Sequence, residues 1–137
     1  DDPAKAADNR WIHRPAMDWA TALRAEQGLD PLSVATQIRT RVQRLVDVRR
    51  TQPALHAAVA TKVRAGRGAG VVLFERRHPA GNMVQVYNVS DSPRWVGADE
   101  LAPLQGQVHD ALGGTSHELG DGIPLPPYAA LWLVSAP

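Results

Sequence analysis

The apolar residues of this chain change period once, and that change limits its architecture more than any other feature. From Val34 they return at Ile38, Val42, Leu45 and Val46, with Val48 beside them, the spacing of one helical face. Arg39, Arg41, Arg44, Arg49 and Arg50 fill much of the remaining surface. Asp30-Pro31 gives a start signal, since proline fits the first helical turn, and Pro53 gives a stop. The spacing predicts an amphipathic helix over residues 32–51. A shorter helix is predicted over 19–27, capped by Asp18 and ended by Gly28.

Beyond Gly66-Arg67-Gly68-Ala69-Gly70 the pattern is that of strands. Strands are predicted over 71–77 and 83–89, joined as a hairpin through His78-Pro79-Ala80-Gly81-Asn82. Another is predicted over 107–112, closed by Gly113-Gly114. The last covers 128–134, where Pro124, Pro126 and Pro127 suit an approach along a sheet edge. Short strands at such spacing point to a small antiparallel sandwich or barrel. Helix first and strands after is an unusual plan for one autonomous domain. The long helix is therefore assigned to an upstream domain and the β part to an appended module, dividing the chain into 1–56 and 57–137.

Composition allows a packed core, with 44% hydrophobic and 21% charged residues. A net charge of +1 gives no whole-chain reason to expect nucleic acid or membrane as a partner. Without cysteine there are no disulfides and no thiolate metal sites. Residues 1–8 lack the apolar core of a signal peptide, and no apolar run approaches the roughly 20 residues of a spanning helix. A cytoplasmic location is expected. The first residue is Asp1 rather than methionine, from which an end made by processing, truncation or cleavage is expected.

Several segments carry a resemblance that composition could not. Asp8-Asn9-Arg10-Trp11-Ile12-His13-Arg14-Pro15 is similar to the DNRW-x-HRP segment of amylosucrases and sucrose hydrolases, members of the α-amylase clan. The run from Leu45 through Arg49 and Arg50 to Pro53-Ala54-Leu55 resembles the end of that clan's last barrel helix. Val86-Tyr87-Asn88-Val89-Ser90, His109-Asp110-Ala111-Leu112-Gly113-Gly114 and Leu125-Pro126-Pro127-Tyr128-Ala129-Ala130-Leu131-Trp132-Leu133 resemble the family's V-x-N-F-S, D-L-x-G-G and L-x-P-Y-x-x-x-W-L segments.

The resemblance implies a whole enzyme with a (β/α)8 barrel and its active site at the C-terminal strand ends. This chain would supply the loop after the eighth strand, the eighth helix and a C-terminal β-sandwich. In the family the arginine of the DNR triplet pairs with an upstream aspartate at the bottom of the glucosyl pocket. Arg10 is the matching residue, and a planar guanidinium suits that task. His13 falls in the same segment and is the second substrate-binding candidate, with packing inside the loop as its other reading. Sucrose is the implied substrate, α-glucan or water the acceptor, and the upstream barrel the protein partner. No cofactor and no metal are implied.

Catalytic residues are not expected within the chain. A retaining glycosidase needs two carboxylates about 5–5.5 Å apart, and the acidic residues here read as caps, turns and helix surface. The family places its nucleophile and acid upstream. His13, His56, His78, His109 and His117 lack metal-ligand spacing. Ser116-His117-Glu118 is not a triad, because triads are not local tripeptides. The glycine-rich run lacks G-x-G-x-x-G spacing and opens a strand, so it reads as a turn. With aromatics at 5%, the arginine face lacks stacking platforms for nucleic acid and reads as a solvated helix surface. Trp11, Trp19, Trp95 and Trp132 are the sugar-stacking candidates; Trp132 reads as core and Trp95 as exposed in a turn. The alternative to an enzyme segment is a non-catalytic β module that binds glycan or supports a partner.

Overall fold

The Asp18 carboxylate accepts the Thr21 backbone N–H at 3.0 Å and its hydroxyl at 2.7 Å, and from that cap helix α1 runs Trp19–Glu26. These bonds hold the Asp18 carboxyl below its ordinary pKa, the Thr21 backbone donor contributing most. Gly28, at φ 66°, ends the helix. The structure, a computed structural model, describes residues 16–135. Helix α2 runs Val34–Thr51 and begins two residues later than the periodicity predicts. The reason is local: the Ser33 hydroxyl accepts the Thr36 N–H at 3.2 Å and caps the helix there. The chain forms two compact units, Asp1–Gln43 and Arg44–Pro137.

In the second unit the end of α2 leads into a 3₁₀ turn, Pro53–Leu55, and then eight strands: β1 (Thr61–Ala65), β2 (Val71–Arg76), β3 (Met83–Asn88), β4 (Arg94–Gly97), β5 (Gln107–Asp110), β6 (Ser116–Glu118), β7 (Gly122–Leu125) and β8 (Ala130–Ser135). A second 3₁₀ turn, Ala98–Leu101, follows β4. Six strands form one antiparallel sheet in the order β1-β2-β3-β8-β5-β6, and β4 pairs with β7 as a separate ribbon.

The side chains of the sheet alternate between two covered faces. Val71 and Leu73 of β2, Val84 and Val86 of β3, Val108 of β5 and Leu133 of β8 pack against Val96, Ile123 and Leu125 of the ribbon, with Leu101, Leu104 and Leu119 completing the cluster. On the opposite face Met83 and Trp132 pack with Ala111 against Val48 of α2 and Ala54 and Leu55 of the 3₁₀ turn. The Arg44 guanidinium donates to the Ala111 and Leu112 carbonyls at 2.9 and 3.1 Å, fastening the helix end to the end of β5.

The expected small antiparallel β module is present, as sheet and ribbon around one core. The last strand differs from expectation: β8 is not at an edge but pairs with β3 on one side and β5 on the other. Its near-continuous apolar run, Ala130-Leu131-Trp132-Leu133-Val134, is what burial on both faces demands. Trp95 lies on strand β4 rather than in a turn. No barrel strand lies among the described residues.

Candidate functional site

Arg10 and His13 lie outside the described residues, with Trp11 and the whole Asp8–Pro15 motif segment. The other expectations can be placed. No group of three or more His, Cys, Asp or Glu among the described residues could hold a metal ion. His56 and His78 accept backbone N–H groups two residues on, at 3.2 and 3.1 Å. Ser116 and His117 are consecutive residues of β6, so their side chains leave the strand on opposite faces, as β6 pairing confirms with Ser116 across from His109.

Two carboxylates are buried among the described residues, and both are engaged by protein donors. Glu75 receives the Arg64 guanidinium at 3.3 Å and that of Arg77 at 2.6 Å. Arg64 also donates to the Glu100 carbonyl at 2.7 Å, tying β1 to the second 3₁₀ turn. Asp110 accepts the backbone N–H groups of Leu112, Gly113 and Trp132 at 3.1, 2.8 and 2.8 Å. Asp110 so engaged fixes backbone, and Glu75 holds two guanidinium groups. A Cβ on Gly113 would meet Asp110 Oδ2 at 2.5 Å. The Asp110-x-x-Gly113-Gly114 motif is therefore a backbone clamp, with Gly114 at φ 74° completing the turn.

Asn88 does the same for the other motif. Its buried amide donates to the Ser92, Leu125 and Pro126 carbonyls at 2.8, 3.3 and 2.8 Å. Its carbonyl oxygen accepts the Ser90 N–H at 3.0 Å and the Ser90 hydroxyl at 2.7 Å. One side chain thus joins the end of β3 to the end of β7. Trp132 is core, as expected, and its Nε1–H donates to the Tyr87 hydroxyl at 2.9 Å. Sequence reasoning recognised these segments by their spelling but missed what they do; the signal was a buried-strand Asn or Asp followed within three residues by Ser or Gly.

The described surface with the strongest unmet demand lies in the first unit. Met17, Trp19, Leu23, Ile38 and Val42 line a shallow groove with Ala22, Ala25 and Ala35 between α1 and α2. Trp19 is 76% exposed and Ile38 58%. Apolar side chains at consecutive helical turns, left in water, mark a surface built to be covered.

Residues 62–134 match the family described as amylosucrase, C-terminal domain. Among solved structures, the crystal structure of AmyP in complex with maltose is similar in fold, with a TM-score of 0.62 and 20% identity over 75% of this chain. The chain spans 22% of the AmyP chain.

Proposed function

Because the chain belongs to the amylosucrase C-terminal domain family, we propose that it is the C-terminal part of a cytoplasmic, retaining sucrose-cleaving enzyme. The family match over 62–134 carries the reading, and the DNRW-x-HRP segment at 8–15 supports it independently. The intact protein would open sucrose through a covalent glucosyl-enzyme intermediate formed on an upstream carboxylate, then pass the glucosyl unit to α-glucan or to water. Arg10 and His13 would lie at the donor pocket, with Arg10 holding an upstream aspartate in its planar fork. Residues 1–56 would belong to the barrel and 57–137 to the β module that buttresses it. The uncovered apolar groove supports placing the helical residues 17–42 against a barrel, since a barrel surface is what such a face would bury. The engagement of Asp110 and Glu75 by the protein's own donors supports placing the chemistry upstream.

The test is to incubate the intact protein with sucrose and quantify fructose, glucose and glucan. Fructose in excess of glucose, with glucan formed, means a transferase. Equal amounts mean a hydrolase. No release removes sucrose as the substrate. Arg10→Ala should lower turnover by about a hundredfold or more with little change in melting temperature, and Arg10→Lys should not rescue it.

A further inference from the structure

The outer face of the β4–β7 ribbon holds an arrangement that the core does not use. Alternation along β4 sends Val96 into the core and Trp95 outward, where its register partner is Pro124. Trp95 is 54% exposed. The next register pair on that outer side is Gly97 with Gly122. A Cβ on Gly122 would lie 2.6 Å from Trp95 Nε1 and 2.9 Å from Gly97 Cα, and would collide with the Val96 carbonyl. The indole edge therefore rests over bare backbone. A Cβ on Gly97 would meet Asp99 Oδ1 at 2.7 Å. Asp99 in turn pairs with the Arg67 guanidinium. The fold has thus cleared a glycine floor with an indole on one side and an ion pair on the other.

We propose that this patch binds a glucosyl segment of an α-glucan. A pyranose ring has one apolar C–H face and a rim of hydroxyls, each both donor and acceptor. The indole, paired in register with Pro124, offers a flat apolar surface for the first. Asp99 and Arg67 supply planar acceptors and donors for the second. The Glu100 carboxylate, which accepts the Gly97 and Arg67 N–H groups, lies beside the ion pair, so the patch leans negative and gives no purchase to phosphates. An apolar protein surface would have to desolvate Arg67 and Asp99, whose side chains are 74% and 59% exposed. A sugar's hydroxyls replace the water they lose. The choice of α-glucan rests on the reading of the family; the platform itself rests on this geometry.

The experiment titrates maltoheptaose into the 137-residue chain and follows indole and glycine N–H resonances by nitrogen-edited NMR. The Trp95, Gly97 and Gly122 resonances are expected to shift with a Kd of about 1 mM, while Trp19 and Trp132 stay in place. Trp95→Ala should raise that Kd about five- to tenfold, and Trp95→Tyr should recover most of the affinity. In a native gel containing glycogen, the wild type should be retarded relative to Trp95→Ala. Shifts confined to other residues, no shifts at all, or equal binding by wild type and Trp95→Ala would overturn the proposal. Each of those results leaves sucrose turnover untouched, so this site and the sucrose reading fail separately.

Discussion

Replacing Asn88 with alanine would strip the Ser92, Leu125 and Pro126 carbonyls of a shared donor at the end of β3. The cost is expected to be about 3 kcal/mol, read as a lower urea midpoint with the unfolding slope unchanged. Asp110→Asn should cost a similar amount, because its amide would turn a donor toward backbone N–H groups. Tyr87 gives the fold a pH dependence at the alkaline end. Burial raises its phenol above the ordinary value of 10.0, against the opposing Trp132 hydrogen bond and the Arg76 charge. A folded-state value above the unfolded one means stability fully present below 10.0 and lost as pH rises through the folded value. Urea midpoints measured at about pH 9 and about pH 11 should fall more in the wild type than in Tyr87→Phe. At this scale the sequence was legible by position and illegible by role. The motif residues could be named, but nothing in their order says that Asn88 reaches Leu125 across 37 positions.

The end of α2 and the Pro53–Leu55 turn cover the face of the sheet that carries Met83 and Trp132. A chain beginning at Arg44 should therefore fold cooperatively, while one beginning at Thr61 should be weaker by about 3 kcal/mol or more, since Val48 and Leu55 no longer shield that face. Urea unfolding followed by tryptophan fluorescence would measure the difference, and equal stabilities would show the cover to be dispensable. Among elements, α2 and the β2–β3 hairpin were legible because their periodicity is long and uninterrupted. Strand β1 was not, since four of its five positions are exposed and the alternation of Lys62 and Arg64 with Val63 and Ala65 is only five residues long. Strands β4 and β7 are four residues each and bear Gly97, Gly122 and Pro124, residues that read as turns. They exist because Val96, Ile123 and Leu125 close the core, a tertiary cause with no local sign.

At the scale of the whole molecule, the helical unit and the β unit have different needs. The β unit encloses its own core, whereas the helical unit leaves Met17, Trp19, Leu23, Ile38 and Val42 to water. In the intact protein, Ile38→Lys with Val42→Lys should lower the melting temperature by about 5 °C or more, as the proposed packing against an upstream barrel would be lost. In the isolated 44–137 segment no such sensitivity can arise. Arg10 and His13, proposed for the donor pocket, were singled out only through their motif, and they lie outside the described residues. No helix among the described residues is long and apolar enough to cross a membrane.

Strand β8 lies between β3 and β5, pairing Met83 with Val134. On a ribosome β3 is made well before its second neighbour, and residues 89–129 must follow before β8 appears. At about 5–20 residues per second that interval is roughly 2–8 s. Until β8 arrives the sheet cannot close, and the row of N–H and C=O groups along β3 is open to any passing strand. The nascent protein thus passes through a period in which a chaperone's presence matters more than the stability of the finished fold.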